Sequence, residues 1–509
     1  MLAIYSLNNI DNFRGFSIAN SLCYEKATRT LVIFALRPLN VQYSYSINKL
    51  LQVYQISRDY FGDMVDTNSA TTQRPNIVFI LADDLGWGDL SIDGQQNYHT
   101  PHLDNLAKEG IRFSTAYSAS PVCTPTRVSF FTGRYPGRIP LGVQEPLLSF
   151  QQIGDKVGLP PEHPTIASLL KANGYETALV GKWHCGYLPK YGPLKSGFDE
   201  FFGNLSGAID YFRHVDTSGE PDLWEAEVSV KEIGYVTDLF TERAIDCIKR
   251  PHKRPFYLSL HHTAPHWPWE GPNDIELSNT LIGKDNVQNW VNTGTAESYA
   301  AVVERLDYGV GRVLQALSDA GVANNTIVIF ASDNGGEKFS NLGGFKGKKG
   351  NLYEGGIRVP TFIRWTGVIQ PNQVSEQVII THDITATILA ATNTNPDPNY
   401  PLDGQNLLPT IKGEAPVTPR TLFWRHKGVD NPALPPKVLQ GAVRSGDWKY
   451  LKSGENEYLF NLATDETEEV DLKTQQKETF EQLRARYEKW ALNLEPYPTC
   501  SVGDTRRQE

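Results

Sequence analysis

The chain has 509 residues, 40% of them hydrophobic and 21% charged, with a formal net charge of −10. That length can bury extensive cores in one large and one smaller domain, and the net acidity argues against a broad nucleic-acid surface. Five cysteines, an odd number without ligand-like spacing, speak against a disulfide framework or a zinc cluster.

Residues 1–63 carry six Lys or Arg against four Asp or Glu and no motif with chemical content. Their apolar stretch Leu31–Leu36 stops at Arg37, too short for a membrane span and for the apolar region of a signal peptide. The only methionine besides Met1 is Met64, ten residues before Arg74. Two expectations follow: translation that starts at Met64, or an N-terminal extension over 1–73. With no export signal legible, the expected location is the cytoplasm, with the periplasm or secretion as alternatives. Asn204-Leu205-Ser206 and Asn324-Asn325-Thr326 match glycosylation acceptors, which carry no meaning in a chain that is not exported.

From Arg74 onward the elements alternate. The run Asn76–Ala82 reads as a buried parallel strand ending in Asp83-Asp84. Paired acids at a strand's carboxyl end lie where open α/β sheets bind ligands, and they call for a cation. A helix over Leu103–Glu109 precedes Cys123-Thr124-Pro125-Thr126-Arg127 and Thr132-Gly133-Arg134. Next come a helix over Thr165–Asn173 and a strand over Thr177–Val180 that leads into Gly181-Lys182-Trp183-His184. The stretch Gly203–Trp224 is expected to be a loop at the mouth of a site, with Arg213 and His214 as substrate contacts. A helix over Tyr235–Lys249 is followed by a strand over Pro255–Leu260, and then by His261-His262 and His266; Trp267, Trp269 and Glu270 come after it. Beyond a helix over Tyr299–Ala320, the strand Thr326–Ser332 again ends in polar residues, Asp333-Asn334-Gly335-Gly336. Carboxylates with an amide oxygen form a hard donor set, suited to calcium or magnesium rather than zinc. Lys349 precedes Asn351-Leu352-Tyr353-Glu354-Gly355-Gly356, and a helix is expected over Ile384–Ala391. The alternation implies α/β architecture: a large mixed, mostly parallel sheet sandwiched by helices. From 416 the texture changes to strands at Thr421–Trp424, Gln440–Arg444, Lys449–Lys452 and Tyr458–Asn461 and a helix over Lys477–Leu492. A smaller C-terminal antiparallel sheet plus helix is therefore expected over 416–509.

The pentapeptide at Cys123 resembles the one in which type I sulfatases, members of the alkaline-phosphatase superfamily, convert a cysteine to formylglycine. The other blocks follow in that family's order, from about Arg74 to Leu472. The resemblance implies a sulfatase catalytic domain over 74–415 that hydrolyses an aryl or carbohydrate sulfate. It implies a divalent ion, calcium in preference to magnesium, held by Asp83, Asp84, Asp333, Asn334 and the formylglycine made from Cys123. It further implies that Arg127 fixes the nucleophile and that Lys182 and Lys349 neutralise the sulfuryl oxygens. His266 would protonate the leaving group, with Lys349 as the alternative, and His184 would be the base that releases sulfate. Its partners are a sulfated small molecule or carbohydrate and a formylglycine-generating maturation enzyme, with no nucleic acid and no membrane span. Structural roles are expected for His261 and His262, and Lys346 and Lys348 are neighbours without a role. The chain departs from the family pattern at Thr126, where Ser or Ala is commoner, and at Cys185, where Leu often stands. Alternatives are a phosphate or phosphonate ester hydrolase of the same superfamily and an unmodified protein that only binds sulfated ligands.

Overall fold

The run Asn76–Ala82 (β1) is buried along its whole length, as an almost wholly apolar strand must be when helices cover both of its faces. This computed structural model describes residues 74–428 and 434–497. It also describes two short strands, Cys23–Tyr24 and Leu31–Val32, that pair antiparallel. The expected start at Met64 and any role for 1–73 lie outside the described residues. After β1 the chain forms α1 (Pro101–Lys108), β2 (Ile111–Phe113), α2 (Cys123–Thr132), α3 (Ile166–Ala172), β3 (Glu176–Gly181) and β4 (Glu200–Gly203). It continues through β5 (Trp224–Glu225), β6 (Val228–Ser229), α4 (Val236–Lys249), β7 (Phe256–His261), α5 (Ala296–Asp319) and β8 (Thr326–Ser332). Three further principal elements, β9 (Thr361–Trp365), β10 (Gln373–Ser375) and α6 (Thr381–Ala391), follow among shorter ones.

One ten-stranded sheet runs in the order β10-β2-β9-β8-β1-β7-β3-β4-β5-β6. Its centre, from β8 to β4, is parallel, while β9, β5 and β6 pair antiparallel. The period-2 alternation of β1 divides its side chains between two cores. Val78 and Ile80 pack with α1, α4 and α5, and Ile77, Phe79 and Leu81 pack with α2, α3 and α6. The expected mixed, mostly parallel sheet sandwiched by helices is thus present. Three helices begin earlier than the sequence suggests, α1 at Pro101 among them. Helix α5 starts at Ala296 behind Thr295, whose side chain accepts from the Ser298 N–H, and α6 starts at Thr381.

Register decides what this sheet presents. Ala82 stands beside Ser332, Leu81 beside His261, and His261 beside Gly181. The four strands therefore end level, and the residues that follow them emerge along one edge. Gly181 is required there, because its φ is +104° and an added Cβ would lie 1.9 Å from the His261 carbonyl oxygen.

The C-terminal part is the expected antiparallel sheet, β11 (Thr421–His426), β12 (Gln440–Ser445), β13 (Trp448–Ser453) and β14 (Asn456–Asn461), with α7 (Lys477–Ala491). One of its faces shares a core with Tyr117, Leu352, Ile357 and Ile380. Within that joint Lys449 is fully buried, 2.8 Å from both Glu354 and Glu468. Burial opposes ionisation of Glu354, but Lys449, Arg358 and Arg444 hold it below the usual carboxylate range. Removing one partner of such a cluster strands the others. Lys449→Met should therefore cost about 3–5 kcal/mol of unfolding free energy, read as a lower denaturant midpoint; an unchanged midpoint would mean that the cluster does not hold the joint.

Candidate active site

Four strand ends and one helix start supply the site. Helix α2 begins at Cys123 without any side-chain cap, and its first turn is buried, so its free N–H groups and positive dipole end point into the site. Pro125 suits that first turn, where an N–H would have no partner. The Cys123 Sγ lies 3.6 Å from Asp83 Oδ1. Burial pushes the thiol's pKa far up, so an unmodified Cys123 is a poor nucleophile at neutral pH.

One turn on, Arg127 is fully buried. Its Nε and Nη2 donate to Asp333 Oδ2 at 3.1 and 2.9 Å, and its Nη1 donates to the Lys182 carbonyl at 2.9 Å. Its Nη1 also lies 3.2 Å from the His261 ring. Lys182 Nζ donates to Asp83 at 2.5 Å and Lys349 Nζ to Asp84 at 2.6 Å. The ligand atoms of Asp83, Asp84, Cys123 and His266 all lie within 4.8 Å of one another. Asp333 joins them by accepting the Asp84 N–H at 3.2 Å.

The donor chemistry fits a hard cation. Asn334 donates through Nδ2 to Asp84 Oδ1 at 2.7 Å, which leaves its own Oδ1 buried and without a hydrogen-bond partner. An orphaned oxygen among carboxylates is what a coordinated ion would satisfy. Burial first, and then the charge of Asp333, pushes Asp83 up to about 8. A divalent ion there would reverse that shift.

Both imidazoles that line the cavity with Cys123 are buried and pinned. His266 Nδ1 lies 2.7 Å from the Trp267 carbonyl, which can only accept, so Nε2 faces Asp84 at 3.6 Å. His184 Nε2 lies 3.0 Å from the Leu147 carbonyl. Burial foremost, with Lys349 and Lys182 added at His266 and Lys182 at His184, holds both rings neutral, well below the ordinary histidine range.

Cys123, His184, His266 and Lys349 line a cavity of ≈ 100 Å³. Its walls are apolar at Leu147, Ala208, Trp267 and Val287, with Gln152 and Thr217 as neutral polar groups. Several sequence expectations are corrected here. Arg213 does not face the cavity but is held by Asp210 and Asp285, and His214 is buried against the Gly234 carbonyl. From the same loop, Ser206, Gly207, Ala208 and Thr217 reach the cavity instead. Trp267 lines it, whereas Trp269 is packed inside with its Nε1 on the Pro265 carbonyl. His261 and His262 are buried in structural positions, as expected, and Lys346 donates to the Glu468 carbonyl. Cys185 is a core residue packed near Trp183, and Asn204 is buried, which closes it to glycosylation.

Leu147 and Gln152 lie in a segment without a motif, and Gly207, though inside the expected mouth loop, is not marked within it by any local signal. Glu337, pushed up to about 7 by burial within reach of Lys349 and Asp84, could have been found only from its place three residues after Asn334.

The family model described as Sulfatase matches residues 75–394. N-acetylgalactosamine-6-sulfatase of Mus musculus is 34% identical over 418 residues, covering 77% of this chain and 75% of the relative. Arylsulfatase J of Mus musculus is 30% identical, covering 80% and 74%. A solved structure, i-CgsB in complex with a neocarrahexaose, superposes with a TM-score of 0.73 at 31% identity over 85% of this chain and 96% of that one. With the Cys123 pentapeptide, the level strand ends and these relatives in agreement, the chain belongs to the sulfatase family and is a sulfuric ester hydrolase.

Proposed function

We propose that Cys123 is converted to formylglycine by a maturation enzyme, and that the hydrated aldehyde is the nucleophile toward a carbohydrate or aryl sulfate. The observation that carries this reading is the convergence of Asp83, Asp84, Lys349 and His266 on Cys123 at a buried helix start. A thiol held protonated by burial cannot serve there, whereas one hydroxyl of a geminal diol can attack sulfur and the other can later expel sulfate.

Asp83, Asp84, Asp333 and Asn334 would hold the divalent ion, and their oxygen donors favour calcium; magnesium demands a stricter octahedron. Bound there, such an ion supplies positive charge beside the sulfuryl oxygens and lowers the pKa of a neighbouring hydroxyl. Three carboxylates, Asp83, Asp84 and Asp333, already face three cations, Arg127, Lys182 and Lys349. With all three carboxylates ionised the protein's charges balance, and the two positive charges of a divalent ion match the two negative charges of product sulfate.

Lys182 and Lys349 stabilise charge on the sulfuryl oxygens in a site that excludes water. His266 Nε2 gives a proton to the leaving oxygen. The ring is neutral in the free enzyme, but a bound sulfate ester brings negative charge that favours the imidazolium. His184 takes the proton of the hydroxyl left at position 123 as the aldehyde re-forms and the C–O electron pair departs with sulfate. The name of the N-acetylgalactosamine-6-sulfatase relative and the saccharide in the superposed structure support a sugar sulfate, whose ring can rest on Trp267 and Leu147.

A mass spectrum of the peptide containing Cys123, from a host with a maturation enzyme, should show formylglycine. Cys123→Ala should abolish turnover while the thermal midpoint stays near that of the parent. Full sulfatase activity with an intact thiol would defeat the nucleophile assignment.

Asp333→Ala removes the carboxylate that Arg127 holds against the Asp84 N–H. It should lower bound calcium, measured by elemental analysis, along with activity by roughly 10³-fold; undiminished metal content would place the ion elsewhere.

The two histidines should separate by step. His266→Ala should lose most, about 10²–10⁴-fold, on sugar sulfates and least on an activated phenol sulfate, whose anion leaves unaided. His184→Ala should release alcohol in a burst and sulfate slowly, whatever the leaving group. If Lys349→Ala rather than His266→Ala shows the steep leaving-group dependence, Lys349 is the proton donor.

A further inference from the structure

His184 is held from three sides. Its φ of +52° turns the backbone out of the line of β3, while its N–H still donates to the Leu205 carbonyl at 3.2 Å. Gly207 backs the ring so closely that an added Cβ would lie 2.5 Å from the imidazole Cε1. The Leu147 carbonyl, 3.0 Å from Nε2, can only accept, so in the neutral ring the proton sits on Nε2. That leaves Nδ1 with the lone pair, buried and without a hydrogen-bond partner in a ring that lines the same cavity as Cys123.

Leu147 belongs to a segment without regular structure, so its carbonyl needs an anchor of its own. The anchor is Thr124, whose Oγ1 accepts the Leu147 N–H at 3.0 Å. Thr124 is fully buried in the first turn of α2, next to Cys123. One rigid helix turn thus carries both the nucleophile and the hydroxyl that sets the carbonyl on which His184 rests.

We propose that Thr124, acting through Leu147, is a positioning residue that fixes the tautomer and aim of His184, so that Nδ1 receives the proton when sulfate is expelled. This rests on the reading of His184 as the base. Without the Thr124 oxygen, the buried Leu147 N–H loses its partner and the 147 carbonyl can rotate, so that either ring nitrogen can carry the proton.

The test compares Thr124→Val, which keeps the branched shape but removes the acceptor, with Thr124→Ser, which restores it, and with His184→Ala. Each is studied as the full chain, with rates expressed per formylglycine found by mass spectrometry, because Thr124 lies inside the maturation sequence. In ¹⁵N spectra of histidine-labelled protein, the signal absent from His184→Ala should report a proton on Nε2 in the parent and in Thr124→Ser, and a mixture of tautomers in Thr124→Val. Thr124→Val should also show the burst of alcohol and a steady-state rate about tenfold lower, with Thr124→Ser within about twofold of the parent. Thr124→Ala serves in place of Val should Val not be accommodated. A proton on Nδ1 in the parent, or parental tautomer and turnover in Thr124→Val alongside a burst in His184→Ala, overturns the proposal. Absence of a burst from His184→Ala removes the base assignment itself, whatever Thr124 does.

Discussion

A guanidinium without solvent contact is expensive unless its charge is paired and its nitrogens find acceptors, and all three nitrogens of Arg127 do. Asp333 takes its forked end, the Lys182 carbonyl takes another N–H, and the His261 ring stands beside it. Those three residues stand at the ends of β8, β3 and β7, while Arg127 itself rides on the helix that begins with Cys123. One side chain therefore locks the helix that begins at Cys123 to three strands. Losing Asp333 would leave the buried charge of Arg127 without its paired carboxylate, the costly way to break such a contact. The placement of Asp333 beside Asp84, and hence the oxygen cluster, follows from that lock.

The blocks that ended strands were legible in the sequence because a parallel sheet makes their geometry predictable. An apolar run such as Thr326–Ser332 must be central, and the polar residues after it must emerge at the carboxyl edge. Register then does the rest, since Ala82, His261 and Ser332 end level. What was not legible depends on contacts between segments without periodicity. Nothing local marks Leu147 as the rest for His184 or Gly207 as its backing. Arg213 looked like a substrate contact because its own neighbourhood hides the fact that Asp285, 72 residues away, pairs with it. The antiparallel strand β9, only five residues long, resembles the flanking strands in composition, and direction leaves no imprint on so short a run.

Local strain also sits where the strands hand over to the site. Asp84 and His184 are non-glycine residues with φ of +67° and +52°, a region that costs an L-residue about 1–2 kcal/mol. Each is followed or flanked by backbone hydrogen bonds that hold the turn, from Asp84 N–H to Asp333 and from His184 N–H to the Leu205 carbonyl. Continuing either strand in regular geometry would satisfy the backbone equally well but would carry the next side chain along the sheet. The left-handed kink instead lets a strand terminus place a carboxylate or an imidazole at the edge where the cavity opens, and the sheet's rigidity sustains the strain.

The C-terminal sheet is best understood through Lys349. That ammonium must reach Asp84, yet it comes from a glycine-rich segment that cannot hold its own shape. Its anchors lie on both sides: the Lys349 N–H donates to Gly336 and the Gly350 N–H to Pro121, both near the site. On the other side Gln440 of β12 accepts from the Leu352 N–H and donates to the Gly350 carbonyl. Lys449 of β13 then pins Glu354, four residues before Arg358, which returns to the Ser114 carbonyl. The small sheet is thus the outer jaw of a clamp on the loop bearing a site cation. A boundary at 416 therefore divides the chain by secondary structure and not by function, because the charge facing Asp84 is positioned by residues from both sides of it.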